Sequence, residues 1–233
     1  MRTSIGIRHV TMNSFHDVRS LVVCFAKEDY GADKNISCAV DFGANIGMSG
    51  LYFLTRNSRV RTYLFEPLPD NVERLTANLR GLEGRYEIQK TAIALQGGSA
   101  TFLYEPTGRY GGIESTIDDH EHIQRPYKIE VKTRDANAVL EEILMREGYI
   151  DILKINIEGL EIPVLESLRP DILDRIGVIC AEIFDFPEGL TGFHSKKYGR
   201  NITKFENKRL SPHQRSTTGL RQQSAPRPRT GDI

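Results

Sequence analysis

Residues 41–47 read Asp-Phe-Gly-Ala-Asn-Ile-Gly and begin within the short apolar run CAVDF at 38–42. Gly43 and Gly47 allow a tight turn and a close approach of backbone to ligand, and Asn45 tolerates left-handed geometry. At the carboxyl end of a strand, this is where open α/β sheets bind nucleotide-like ligands. Glu66 closes the next apolar run, RTYLFEP at 61–67. An acid roughly twenty residues beyond a glycine turn can accept hydrogen bonds from both hydroxyls of a ribose, and it is poor company for a 2′-phosphate, so NADP is disfavoured. The structural alternative for Glu66 is a charge beside the start of the helix near Pro69.

Asp41 separates two cofactor classes. A pyrophosphate is held by closely approaching amides at a helix N-terminus, and an acid before the first glycine would repel it. S-adenosyl-L-methionine has no phosphate and carries an ammonium that Asp41 could help hold. The turn therefore favours adenosylmethionine, with Asp41, Gly43, Asn45, Gly47 and Glu66 as its binding residues and Thr91 or Ala92 near the adenine.

A second constellation lies at Lys154, Asn156 and Glu158, alternate positions of the segment YIDILKINIEG at 149–159. On a strand these share one face, and polar groups there are costly to bury unless paired or functional. Glu158 is the best catalytic or acceptor-binding candidate. Lys154 is as readily a structural cation, paired with a glutamate to buttress the sheet. Methyl transfer from a sulfonium is an in-line displacement, accelerated by holding donor and acceptor together and, for a hydroxyl acceptor, by a positioned base. Glu182, Asp185 and the segment Tyr110, Gly111, Gly112, Ser115 and Thr116 are candidates for contacts to the acceptor. Glu161 reads as a favourable acid in a helix's first turn.

The elements that must position these residues alternate. Helical spacing at 18, 21, 22 and 25 predicts a helix over 14–27, packed on the sheet edge. Strands are predicted at 38–42, 61–67, 86–95, 149–159 and 177–186, with helices after residue 47, over 69–80, from Asp135 to Gly148 and over EIPVLESLRPDIL at 161–173. Strands separated by helices point to a doubly wound, mostly parallel α/β sheet. The stretch 99–134 breaks that rhythm with alternating apolar and polar runs, and reads as an antiparallel hairpin insertion. The organisation expected is an N-terminal helical segment (1–35), a core (36–193) and a basic tail (194–233), largely disordered from about residue 211 on composition. Ile202 to Phe205 is a candidate edge strand.

The segments AVDFGANIGMSG (39–50), FEPLPDNVERLTANL (65–79), TAIAL (91–95), IDILKINIEGLEIPVLES (150–167) and CAEIFDF (180–186) together resemble the FkbM-type methyltransferases, a branch of the Rossmann-like class I adenosylmethionine-dependent enzymes. The resemblance implies methyl transfer, commonly to an oxygen of a small-molecule or sugar-like acceptor. It also implies that Asn156 stands where the family usually has Asp; Asn keeps hydrogen bonding and loses the base. The tail beyond about Phe193 has no recognisable match to the family's last strands.

Composition bounds the alternatives. The 233 residues are 39% hydrophobic and 27% charged, which excludes collagen-like, wholly disordered and disulfide-scaffold classes. Residues 194–233 hold ten basic residues against two acidic ones, so in a chain of zero formal charge the remainder is acidic by eight. Nucleic acid is accordingly an unlikely acceptor, and no Asn-Pro-Pro-Tyr motif for a flipped base occurs. No apolar run reaches the roughly 18 residues of a membrane span and no signal-like segment opens the chain, so the expected location is cytoplasmic, with Cys24, Cys38 and Cys180 reduced and mostly buried. Asp118, Asp119, His120, Glu121 and His122 read as a solvated loop, and no metal is expected. The competing readings are an NAD-dependent Rossmann oxidoreductase, which needs a Tyr–Lys or His catalytic pair, and a cofactor-binding protein that has lost turnover. The sequence leaves the acceptor and the oligomeric state open.

Overall fold

The computed structural model describes residues 1–105, 110–116 and 126–183, together with the backbone of 194–198 and 202–206. Five strands run parallel: β1 (Cys38–Phe42), β2 (Arg61–Phe65), β3 (Tyr86–Gln89), and, later in the chain, β8 (Ile150–Ile155) and β9 (Ile176–Glu182). All five residues of β1 are buried, as in a central strand covered on both faces. The chain steps outward from β1 through β2 to β3, then returns to the other side of β1 with β8 and β9. The order therefore reverses between β1 and β8, which is where open α/β sheets carry their ligand crevice.

Two antiparallel strands extend the sheet beyond β9. β11 (Ile202–Glu206) pairs with β9, and β10 (His194–Tyr198) pairs with β11. Ile202 to Phe205, expected as an edge strand, forms a strand but is paired on both sides, and the edge is β10. The rest of the basic tail lies outside the described residues.

Helices cover the sheet, most of them on the crossovers between parallel strands. α2 (Met48–Leu54) follows the turn after β1 and is buried at every position. Such a helix needs cover on both sides. The β2 side chain of Leu64 packs so closely on Gly50 that a Cβ there would lie 2.8 Å from it. On the other side lies α1 (Phe15–Leu21), capped by Ser14, whose hydroxyl accepts from the Asp17 amide. The helix predicted over 14–27 is thus shorter: Val22–Ala26 forms a π-helical turn. The segment lies against α2, Cys24 joins a buried cluster with Ala39, Ile152 and Cys180 of the sheet, and Phe15, Val18 and Val22 remain exposed. α3 (Pro69–Asn78) starts with proline at its first turn, where the missing N–H costs nothing. α4 (Ala136–Glu147) is capped by Asp135 and ends at Gly148.

Three expectations on boundaries change. The strand predicted over 86–95 is two: β3 ends at Gln89, and after Lys90 and Thr91 the chain enters β4 (Ala92–Ala94) in a second sheet. That sheet has the order β4-β7-β5-β6, with β5 (Gly98–Tyr104), β6 (Gly111–Ile113) and β7 (Tyr127–Asp135) forming the predicted antiparallel insertion, and β7 parallel to β4. The helix predicted over 161–173 is α5 (Glu161–Ser167) and α6 (Pro170–Leu173), separated because Pro170 cannot continue a helix. β8 stops at Ile155, so Asn156 and Glu158 lie beyond the strand. All three cysteines are buried, and no disulfide joins them. No helix among the described residues is long and apolar enough to cross a membrane.

Candidate functional site

The turn after β1 is fixed by its backbone. Gly43 has φ +81°, and a Cβ on it would collide with the carbonyl oxygen of Asn156. The amides of Gly43 and Ala44 both donate to the carbonyl of Phe65 at the end of β2, 3.1 and 2.9 Å away. Asn45, at φ +48°, takes the left-handed conformation expected of it. Glu66 then ties the turn to the next one. Its Oε2 accepts from the Asn45 amide (2.9 Å), and its Oε1 accepts from the Leu68 amide (3.0 Å) and from Asn71 Nδ2 (3.2 Å). Glu66 is 5% exposed, and burial pushes its carboxyl up to about 6 against the lowering effect of those donors.

Asp41 lies one level below the turn. Because Asp41 and Lys154 are register partners on β1 and β8, their side chains meet: Lys154 Nζ donates to Asp41 Oδ1 and to the carbonyl of Gly43, both at 2.7 Å. Ser49 at the start of α2 donates to the other Asp41 oxygen at 2.5 Å. Asp41 is fully buried and Lys154 is 4% exposed. The carboxylate placed by the sequence near a cofactor's ammonium is thus occupied by this node, and its influence on the turn passes through Lys154. Lys154 is paired, but with Asp41 and not with the glutamate expected, because the β1–β8 register sets an aspartate opposite it.

On the other side of β1, the Asn156 amide nitrogen of the backbone donates to the carbonyl of Phe42 (3.0 Å), and Asn156 Nδ2 donates to Glu182 Oε2 (2.7 Å) at the end of β9. Glu158 does not share a strand face with Lys154: it sits in a turn at φ +45°. Glu161 holds that turn, accepting from the amides of Ile157 (2.8 Å) and Gly159 (3.0 Å). Burial raises the Glu161 carboxyl above its ordinary range.

These turns surround a cleft of about 560 Å³, counted with its open mouth. Gly43, Asn45, Glu66 and Pro67 line one side, Asn156, Ile157 and Glu158 another, and Thr91, Ala92 and the second sheet's Phe102, Gly111 and Ile113 close it. Thr91 is buried and donates through Oγ1 to the carbonyl of Lys132 on β7 (2.8 Å). Gly47 is the α2 N-cap, with φ +84° and Leu75 packed against it, and does not line the cleft. Ser115 also falls outside it, exposed in the turn Glu114–Thr116. Next to it, the Thr116 carbonyl packs on Gly159 so tightly that a Cβ there would clash. Asp185 and the 118–122 cluster lie outside the described residues, among which no group of three or more His, Cys, Asp and Glu could hold a metal ion.

The sequence holds two Tyr-x-x-x-Lys spacings, Tyr30 to Lys34 and Tyr86 to Lys90. Neither lines the cleft: Tyr30 is buried among Cys24, Tyr52 and Phe53, and Tyr86 stands at the amino end of β3. The Asn156–Glu182 bond had no sequence signal beyond the proximity of both residues to strand ends.

A mostly parallel sheet with a glycine turn after β1, a buried carboxylate after β2 and a cleft at the reversal of strand order is a doubly wound α/β architecture of the class I methyltransferase type. The chain belongs to the FkbM methyltransferase domain family, whose pattern it matches over residues 41–207. It is 28% identical over 200 residues to the AMB antimetabolite synthetase AmbE of Pseudomonas aeruginosa, a match that covers 72% of this chain and 9% of that protein. It is 26% identical over 181 residues to Methyltransferase 1 of Beauveria bassiana, covering 70% of this chain and 72% of that one. Among solved structures, a methyltransferase from Geobacter sulfurreducens aligns with a TM-score of 0.41 at 15% identity, covering 85% of this chain and 80% of that one. An RNA methyltransferase from Salinibacter ruber in complex with S-adenosyl-L-homocysteine gives 0.41 at 11% identity, covering 87% and 97%.

Proposed function

We propose that this chain transfers a methyl group from S-adenosyl-L-methionine to an oxygen of a small-molecule or sugar-like acceptor. The observation that carries the reading is Glu66, a buried carboxylate that lines the cleft at the end of β2 and is bonded to the turn of Asn45. The residues present fit the cofactor: the cradle at Gly43 has no room for a Cβ, and a carboxylate with hydroxyl-accepting oxygens lies beside it. Gly43, Asn45 and Glu66 would hold it, with Thr91 and Ala92 at the adenine end, while Asp41 acts on the turn through Lys154 and Gly47 through the start of α2.

Bound there, adenosylmethionine supplies an activated methyl group on a sulfonium. The chain's own part is placement and exclusion of water: Phe102, Ile113 and Ile157 give the cleft apolar walls, and Asn156 and Glu158 offer polar groups to the acceptor. Acceleration then comes chiefly from orientation. Three buried cysteines that form no disulfide suit a reducing compartment, and the cytoplasm is the proposed location.

Calorimetric titration with adenosylmethionine, S-adenosylhomocysteine and NAD, on the unaltered chain and on Glu66→Ala, tests the reading. Binding of either sulfur ligand, weakened in the variant, is the expected result; binding of NAD alone would overturn it. Asn156 favours a second reading, a binder without turnover, since no acid stands at that position. Cofactor binding with no transfer across a broad acceptor panel is its signature.

A further inference from the structure

Three donors meet the Glu66 carboxylate, and they do not divide evenly between its oxygens. Oε1 accepts from the Leu68 amide (3.0 Å) and from Asn71 Nδ2 (3.2 Å), whereas Oε2 accepts from the Asn45 amide (2.9 Å). An ionised carboxylate offers about four acceptor sites, two on each oxygen. Both sites of Oε1 are therefore filled by the protein, and one site remains, on Oε2. The partners of the two oxygens also stand in different places. Asn45 lines the cleft with Glu66 itself, while Leu68 and Asn71, 5% and 2% exposed, are packed at the start of α3 and do not line it. The carboxylate is not free to share itself differently. The Glu66 amide donates to the carbonyl of Gln89 (3.1 Å), which pins the main chain at the end of β2, and Pro67 has no amide to offer in place of that of Leu68. Turning Oε1 toward the cleft would break the bonds from both buried donors, so each hydroxyl bond gained costs a bond already made.

A ribose presents two neighbouring hydroxyls, and a carboxylate grips both only when each of its oxygens has a site to give. Resting on the methyltransferase reading above, we infer that Glu66 holds one ribose hydroxyl of the cofactor and not two, through Oε2, and that Asn71 is a positioning residue which, with the Leu68 amide, keeps Oε1 turned to α3. The sequence pattern allows an acid at this place to accept from both hydroxyls; the two donors at the start of α3 halve that capacity. The site then reads the cofactor's sugar chiefly at a single hydroxyl. A hydrogen bond to a charged group is stronger than one to a neutral group, so the hydroxyl on Oε2 carries the larger share of the affinity. An adenosyl ligand altered at the other hydroxyl remains a ligand.

The test needs no knowledge of the natural acceptor. Dissociation constants of S-adenosylhomocysteine and of its 2′-deoxy and 3′-deoxy derivatives are measured by calorimetry at pH 8 on the full chain, on Glu66→Ala and on Asn71→Leu. On the unaltered chain one deoxy compound is expected to bind at least about tenfold weaker than S-adenosylhomocysteine and the other within about fivefold of it. Comparable losses from both compounds, or from neither, overturn the inference on the unaltered chain alone. In Glu66→Ala the larger loss is expected to shrink to within about fivefold; its persistence in a variant that still binds S-adenosylhomocysteine overturns the assignment to Glu66. In Asn71→Leu, Oε1 regains a site, and the smaller loss is expected to grow by about threefold or more, which narrows the ratio between the two. Damage that is merely structural weakens all the ligands alike, so an unchanged ratio in that variant overturns the part given to Asn71. Failure of the unaltered chain to bind S-adenosylhomocysteine or either derivative defeats the cofactor reading instead.

Discussion

Glu66, which lines the cleft, and Glu182, which reaches it only through its bond to Asn156, stand at the ends of strands on opposite sides of β1, yet they are held differently. Glu66 is 5% exposed and accepts two backbone amides and a side-chain amide. Glu182 is half-buried and is held by one side-chain amide, that of Asn156. Backbone donors come with the fold and survive most substitutions; a side-chain donor depends on one residue's identity. The β1–β2 side is therefore built into the architecture, and the β8–β9 side is open to specialisation. The Asp41–Lys154 ion pair joins the two, because it braces the Gly43 carbonyl from β8.

Substitution at the glycine turn breaks the comparison most severely. Gly43→Ala sets a Cβ against the Asn156 carbonyl at a positive φ and is expected to cost about 4 kcal/mol or more. Gly47→Ala, with the flexible Leu75 side chain as its nearest neighbour, should cost about 1–2 kcal/mol. Urea denaturation of both variants measures the difference. Next in size, Lys154→Met strands the buried charge of Asp41 and should cost about 3–5 kcal/mol, with Asp41→Asn recovering part of it in the double variant. A full double-mutant cycle by denaturation checks this.

Glu66 gives a smaller, pH-dependent effect. Its carboxyl is raised from 4.5 to about 6, so between those values the folded chain binds more protons than the unfolded one, and stability falls as pH rises. The loss is about 2 kcal/mol, complete above pH 6, and the slope should vanish in Glu66→Gln; denaturation midpoints from pH 4 to 7 show it. Adenosylmethionine affinity should run the other way, rising through the same range as the hydroxyl-accepting carboxylate forms. The smallest effect belongs to Ser115→Ala, exposed and outside the cleft: within about 0.5 kcal/mol in stability, with cofactor affinity unchanged by calorimetry.

The β1 turn was legible because its constraint is local. Gly43, Asn45 and Gly47 each take the positive φ that their residue types allow, and Glu66 directly follows the apolar run that forms β2. The Asp41–Lys154 contact was half legible: burial of a lysine demands a carboxylate, but the register that supplies Asp41 is a property of two strands 113 residues apart. The break between β3 and β4 carries no Gly or Pro; Lys90 and Thr91 give no punctuation, and the change of sheet is decided by pairing with β7. Glu158 misled in another way. An acid is a poor candidate for φ +45°, and the bonds from Ile157 and Gly159 to Glu161 impose that turn from outside the residue.

That break between β3 and β4 has an evolutionary consequence. The chain crosses from one hydrogen-bonded sheet to another within two residues at the rim of the cleft, so the wall formed by Phe102, Gly111 and Ile113 belongs to a ladder of its own. A descendant can lengthen, shorten or repaint that ladder while the five parallel strands keep their register, which makes the wall an interchangeable part: one engine, refitted for each new cargo.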